Sequence, residues 1–154
     1  MGAAYFYHLT RAPLEATLPM LLDKARAAGW RVAVRGRDPA RMAWLDERLW
    51  LGKDTEFPAH GLAGGPHDAR QPVLLCVGDR AANAPDCVMC IDGAETAPAE
   101  VSALARVCIL FDGNDDAAVQ AARLQWKTLA DAGCSAKYWS EASGRWQMKA
   151  ETGA

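Results

Sequence analysis

No stretch of this chain approaches the ~18 consecutive apolar residues that a membrane-crossing helix needs, so no span is expected. The opening Met1-Gly2-Ala3-Ala4-Tyr5-Phe6-Tyr7-His8 lacks the basic start and long apolar core of a secretory leader. It also lacks the Ser or Thr of a myristoylation signal, and the cytoplasm is the expected compartment. A basic excess is missing too: 17 Lys and Arg face 19 Asp and Glu, for a net charge of −2. Domains that coat nucleic acid carry a basic surplus or stripe, so no strong direct nucleic-acid binding is expected, and any basic site must be local.

The glycine signatures of nucleotide chemistry are equally absent. A dinucleotide site needs Gly-x-Gly-x-x-Gly directly after the first strand, where backbone must approach a pyrophosphate. Here that turn is Leu9-Thr10-Arg11-Ala12-Pro13-Leu14. The cluster Gly61-Leu62-Ala63-Gly64-Gly65-Pro66 has no Lys after it and precedes a strand rather than a helix, which excludes a phosphate loop.

Metal and redox chemistry have little to stand on, and no cofactor is expected. The five cysteines, Cys76, Cys87, Cys90, Cys108 and Cys134, are scattered, mostly within apolar runs where a free thiol acts as a small core hydrophobe. Cys87-Val88-Met89-Cys90 has the bare Cys-x-x-Cys spacing, yet no second ligand pair accompanies it. In a strand, positions three apart point to opposite faces, so the two thiols cannot share a ligand. Histidine is scarce, with His8, His60 and His67 alone. His60, His67 and Asp68 share one irregular stretch. Solvated loop residues account for them, with a metal or acid–base role as the alternative.

What is present is a regular alternation of apolar runs and helical patterns. Tyr5 to Leu9 and Trp30 to Val34 have strand character, as do Val73 to Val77, Cys87 to Ile91, Val107 to Phe111 and Ala136 to Trp139. A helix opens near Pro13 with Thr10 as its cap, carries Leu14, Leu18, Leu21, Leu22 and Ala25, and stops at Gly29. Pro19 within it marks a kink or a break. A second helix runs from Asp38-Pro39 to about Trp50 with Met42, Leu45 and Leu49 inward. From Leu51 to Gln71 no period appears, and a long functional loop is expected. Strands 73–77 and 87–91 are joined by a polar turn around Asn83-Ala84-Pro85-Asp86, and a weak helix spans Glu100 to Ala105. The strongest helix follows Gly113-Asn114-Asp115-Asp116, whose carboxylates suit a helix start, and ends at Gly133. The pattern predicts one α/β domain over 1–150, with a mostly parallel sheet and helices on both faces, and a frayed tail at 151–154.

The 115–132 helix has an inner face of Ala118, Ala122 and Leu129. Beside it runs the stripe Val119, Arg123, Trp126, Lys127. Two like charges one turn apart are mildly unfavourable on an isolated helix. A Trp beside them offers an apolar plate flanked by two donors, suited to an anionic group attached to a hydrophobic one, such as an aromatic-ended peptide carboxylate. An ordinary outer face, with Lys127 relieved by Asp131 and Trp126 half-packed on the sheet, explains the same pattern. Trp50 and Phe57 bracket the start of the long loop, either as core packing or as an exposed docking patch.

In order along the chain, several segments carry a resemblance. They are Phe6-Tyr7-His8-Leu9, Gly29-Trp30-Arg31-Val32, Leu45-Asp46-Glu47-Arg48-Leu49-Trp50 and Phe57-Pro58-Ala59-His60-Gly61. Gln71-Pro72-Val73-Leu74-Leu75, Phe111-Asp112-Gly113, the 115–132 helix and Gly144-Arg145-Trp146 complete the set. Together they resemble the chi subunit of the bacterial DNA polymerase III holoenzyme. The resemblance implies a three-layer Rossmann-like fold without nucleotide chemistry, and an accessory clamp-loader subunit with no catalytic site. It implies that Arg123, Trp126 and Lys127 grip the acidic, Phe-ended tail of single-stranded DNA-binding protein (SSB). Val119 stands where some relatives place another basic residue. It implies further that Trp50 and Phe57 meet the psi subunit, a helicase or another partner. Two other readings remain at this stage: a small α/β enzyme or nucleotide binder using the 51–71 loop with His60 and Asp68, and a structural subunit that dimerises through the Trp50/Phe57 patch.

Overall fold

A computed structural model describes residues 2–10, 13–51, 60–62, 71–77, 83–140 and 146–152. The elements are β1 (Ala3–Leu9), α1 (Leu14–Ala27), β2 (Val32–Gly36), α2 (Pro39–Leu51), β3 (His60–Leu62) and β4 (Val73–Val77). They continue with β5 (Cys87–Cys90), α3 (Pro98–Ala103), β6 (Arg106–Asp112), α4 (Asp116–Asp131), β7 (Ser135–Ser140) and β8 (Gln147–Thr152). One sheet runs β3-β4-β2-β5-β6-β1-β7-β8. Every neighbouring pair is parallel except β7 and β8. The expected α/β class holds: an apolar run such as Val107–Phe111 lies inside the sheet, buried from both sides, whereas Val73–Val77 forms the strand next to the β3 edge and leaves Val77 exposed.

Two apolar layers sandwich that sheet. Leu18 and Leu22 of α1 and Met42 and Leu45 of α2 pack over Val32, Val34, Leu75 and Leu110 on one face. Val101 of α3 and Ala122 and Leu129 of α4 pack over Phe6, Ala33, Val88 and Ile109 on the other. Cys87 belongs to the first layer and Cys90 to the second, so the Cys-x-x-Cys pair is divided by the sheet, as strand alternation dictates.

Helix ends follow local chemistry. Asp115 accepts from the N–H groups of Ala117 (3.0 Å) and Ala118 (3.5 Å) at the start of α4. Past α1, the Trp30 N–H reaches the Ala25 carbonyl at 3.1 Å and the Gly29 N–H that of Arg26 at 2.9 Å. Past α4, Cys134 bonds Leu129 and Gly133 bonds Ala130, both at 3.0 Å. These are two Schellman stops, and they need φ of +83° at Gly29 and +80° at Gly133, where a side chain would be strained.

Several expectations are corrected. Thr10 does not cap α1: Pro13 occupies the cap position, without a side-chain bond, because the helix begins only at Leu14. Pro19 does not break α1, whose tertiary packing carries it through the one missing N–H. The segment 51–71 is not wholly irregular, for β3 pairs with β4 through His60–Leu62, a run too short to show a period. Finally, Glu151 and Thr152 are not frayed but pair with Lys137 and Ala136 of β7. Exposed along most of its length, β8 has no hydrophobic signal of its own and exists through its partner. The rest of the expected long loop (52–59 and 63–70), with Phe57, His67 and Asp68, lies outside the described residues.

Candidate functional site

Helix α4 lies across β6 and β7, and its two flanks do different things. Gln125 points toward the β5–α3 connection, donating to the Ala94 carbonyl at 3.3 Å and accepting from the Thr96 N–H at 3.3 Å. With 3.6 residues per turn, Val119 and Arg123 therefore lie toward the opposite flank, above β7, and Lys127 stands beside Arg123 on the outer, solvent-facing side of the helix. Val119 and Trp126 are partly buried against the inner layer, whereas Arg123 and Lys127 are exposed. The Trp126 ring turns inward, meeting Phe6 edge-on at 5.3 Å between centroids and Tyr138 at 6.1 Å. It is a wall of the site more than a free plate. Among the described residues neither Arg123 nor Lys127 has a carboxylate within ion-pairing distance, so both charges remain available to an anion.

Beneath Arg123 is a cluster that periodicity did not reveal. Register places His8 beside Phe111 on one side and Ser140 on the other. The His8 ring packs on Phe111 at 5.1 Å and meets Tyr138 edge-on at 5.8 Å. The Tyr138 hydroxyl and His8 Nδ1 share a 2.6 Å hydrogen bond. Burial raises the Tyr138 pKa, and the positive field of Arg123 opposes that rise. The phenol is therefore held neutral. Gly113 closes the back: a side chain there would collide with the His8 ring. Parallel pairing of β1 with both β6 and β7 alone brings His8, Phe111 and Tyr138 together, across 130 residues in the case of the hydrogen bond.

A second concavity, about 800 Å³, opens at the carboxyl ends of β1, β5 and β6 between α1 and α4. The helices following β1 and β6 leave on opposite faces, which is where open α/β sheets commonly hold ligands. Its rim carries Glu15, Asp92, Asp112 and Asp115 against Arg37 and Arg41, and Asp92 already holds Arg41 at 3.1 Å. That balance disfavours phosphate. None of its described lining residues comes from 51–71.

Trp50 lies in the last turn of α2, with its side chain outside the described residues, as is Phe57. The structure brings Val119, Arg123 and Trp126 of the expected stripe over one floor but leaves the Trp50/Phe57 pair undescribed. Among the described residues no group of three His, Cys, Asp or Glu is placed to hold a metal, and no helix is long and apolar enough to cross a membrane.

Compared with known families, residues 1–137 match the model of the DNA polymerase III chi subunit, HolC. No curated protein matches the chain.

Proposed function

The chain belongs to the DNA polymerase III chi subunit family, and from that premise we propose that it is a non-catalytic adaptor linking the clamp-loader assembly to SSB. The tail of SSB, acidic and ending in Phe, would lie on the β7 flank of α4. Arg123 or Lys127 takes the terminal carboxylate, and the ring enters the apolar surface made by Val119, Trp126 and Tyr138. The observation that carries this reading is the pair of exposed cations, without carboxylate partners among the described residues, beside a half-buried Trp. Such a pair costs helix stability when empty and is relieved when an anion binds. Trp50 and Phe57 provide a second contact, to psi, a helicase or another clamp-loader component, and the protein works in the cytoplasm.

Calorimetric titration with an acidic Phe-ended peptide at low salt tests the reading. Binding should weaken roughly tenfold or more in Arg123→Ala and Lys127→Ala, and fall as salt rises. Absence of binding heat with the wild type, at several temperatures, would refute it.

A further inference from the structure

β8 lies beyond the 137 residues that match the family model, and it carries a cation whose direction is set by a flaw in the sheet. Pairing of β7 with β8 runs Ala136–Thr152, Lys137–Glu151, Tyr138–Ala150, then skips to Trp139–Met148 and Ser140–Gln147. Lys149 is the extra residue of a β-bulge. Alternation from Ala150 would send Lys149 to the face of Trp139, away from α4. A bulge instead re-aims the side chain. Gln147 shares the face of its partner Ser140, which is also the face of Tyr138 and α4, and Lys149 Nζ donates to Gln147 Oε1 at 3.2 Å. The ammonium therefore stands on the α4 side of the hairpin.

Among the described residues no helix covers the outer strand on that face: Lys149 and Ala150 are exposed and Tyr138 is half-buried. Arg123 on the α4 flank, Tyr138 and Ala150 on the hairpin, and Lys149 on its outer strand thus share one side of the sheet. Glu151, the only acid of β8, pairs with Lys137 on the opposite face. Among the described residues of β7 and β8, no carboxylate stands on the face that Lys149 shares with α4.

We infer that Lys149 is a binding residue for the acidic stretch that precedes the terminal carboxylate of a docked peptide. The guest would cross from α4 onto β8 instead of ending at the helix. This rests on the proposed function, since it takes the peptide's C-terminus to be seated at Arg123 and Lys127. Three cations around an apolar floor complement an extended acidic peptide with an aromatic end. A base-stacking strand would need free ring faces, and Trp126 and Tyr138 are packed against each other in a T-shaped, edge-to-face contact.

The test compares two Phe-ended peptides by calorimetry on the full chain, one with acidic and one with neutral residues upstream. Lys149→Glu should weaken the acidic peptide roughly three- to tenfold at low salt, as expected for reversal of an exposed contact. It should leave the neutral peptide unchanged, and Lys149→Arg should retain wild-type affinity. Arg123→Ala should weaken both peptides. Equal affinity of Lys149→Glu and wild type for the acidic peptide would overturn the inference and leave the proposed function standing. No binding of either peptide by the wild type would overturn both. Loss in Lys149→Glu of binding to a single-stranded oligonucleotide, with peptide affinity unchanged, would also overturn the inference.

Discussion

Gly113→Ala should destabilise the protein and disturb the candidate site at once. Gly113 is outside the left-handed backbone region, so the cost is steric. A Cβ there would overlap the His8 ring and lie 2.9 Å from the Leu9 carbonyl oxygen. Neither neighbour can yield freely. The Leu9 carbonyl accepts from the Gly113 N–H at 2.6 Å, and His8 is held by Phe111 and by its 2.6 Å bond with Tyr138. Overpacking of this kind costs about 1–3 kcal/mol, and loss of the Tyr138 bond adds about 1 kcal/mol. For a domain of this size each kcal/mol lowers Tm by about 2–4 °C, so a fall of roughly 4–16 °C is expected by circular dichroism or calorimetry. His8→Ala in the same background removes the ring that the methyl meets. The double variant should therefore be more stable than the sum of the two single losses by about 1 kcal/mol. A Tm for Gly113→Ala within about 1 °C of wild type, or strict additivity in the double variant, would refute this account of the His8–Tyr138 floor.

The Arg35–Glu100 pair should govern part of the acid limb of stability. Arg35 is 6% exposed and donates to Glu100 at 2.6 and 3.0 Å; that bond, foremost, holds the Glu100 carboxyl below its usual range. A depressed folded pKa gives stability that is present above the ordinary value of 4.5 and lost as pH falls through the lower, folded value. Glu100→Gln should lower Tm at neutral pH, by about 1–3 kcal/mol equivalent after allowing for the partial exposure of Glu100. It should also flatten the decline below pH 4.5; an acid limb unchanged from wild type would contradict the assignment. The thiols should be inert in the folded state. All five are buried, and burial pushes Cys90 up to about 12. A thiol-reactive dye at pH 8 should therefore label them only on addition of denaturant, and prompt labelling of the native protein would show that the layers open.

Local signals carried far in this chain because they rest on short-range physics. Gly29 and Gly133 end helices since only glycine enters the left-handed region cheaply. Asp115 starts α4 because its carboxylate satisfies two otherwise orphaned N–H groups. Strand alternation was enough to separate Cys87 from Cys90. Such signals fail where an element owes its existence to a distant neighbour. β3 is three residues long and β8 is exposed nearly throughout, so neither buries enough apolar surface to show itself.

The same division runs through the candidate site. The sequence by itself determined the stripe of Val119, Arg123, Trp126 and Lys127, since helical spacing is a property of the backbone alone. Which way that stripe faces was decided only by tertiary structure. Gln125 bonds toward Ala94, the opposite flank turns over β7, and parallel pairing of β1 with β6 and β7 slides His8, Phe111 and Tyr138 beneath it. The direction of Lys149 was decided later still, by one extra residue in a strand that exists only because β7 pairs with it. Spacing along a chain records rotation about one axis. Where two axes meet depends on registers between residues far apart in sequence, and no local pattern contains them.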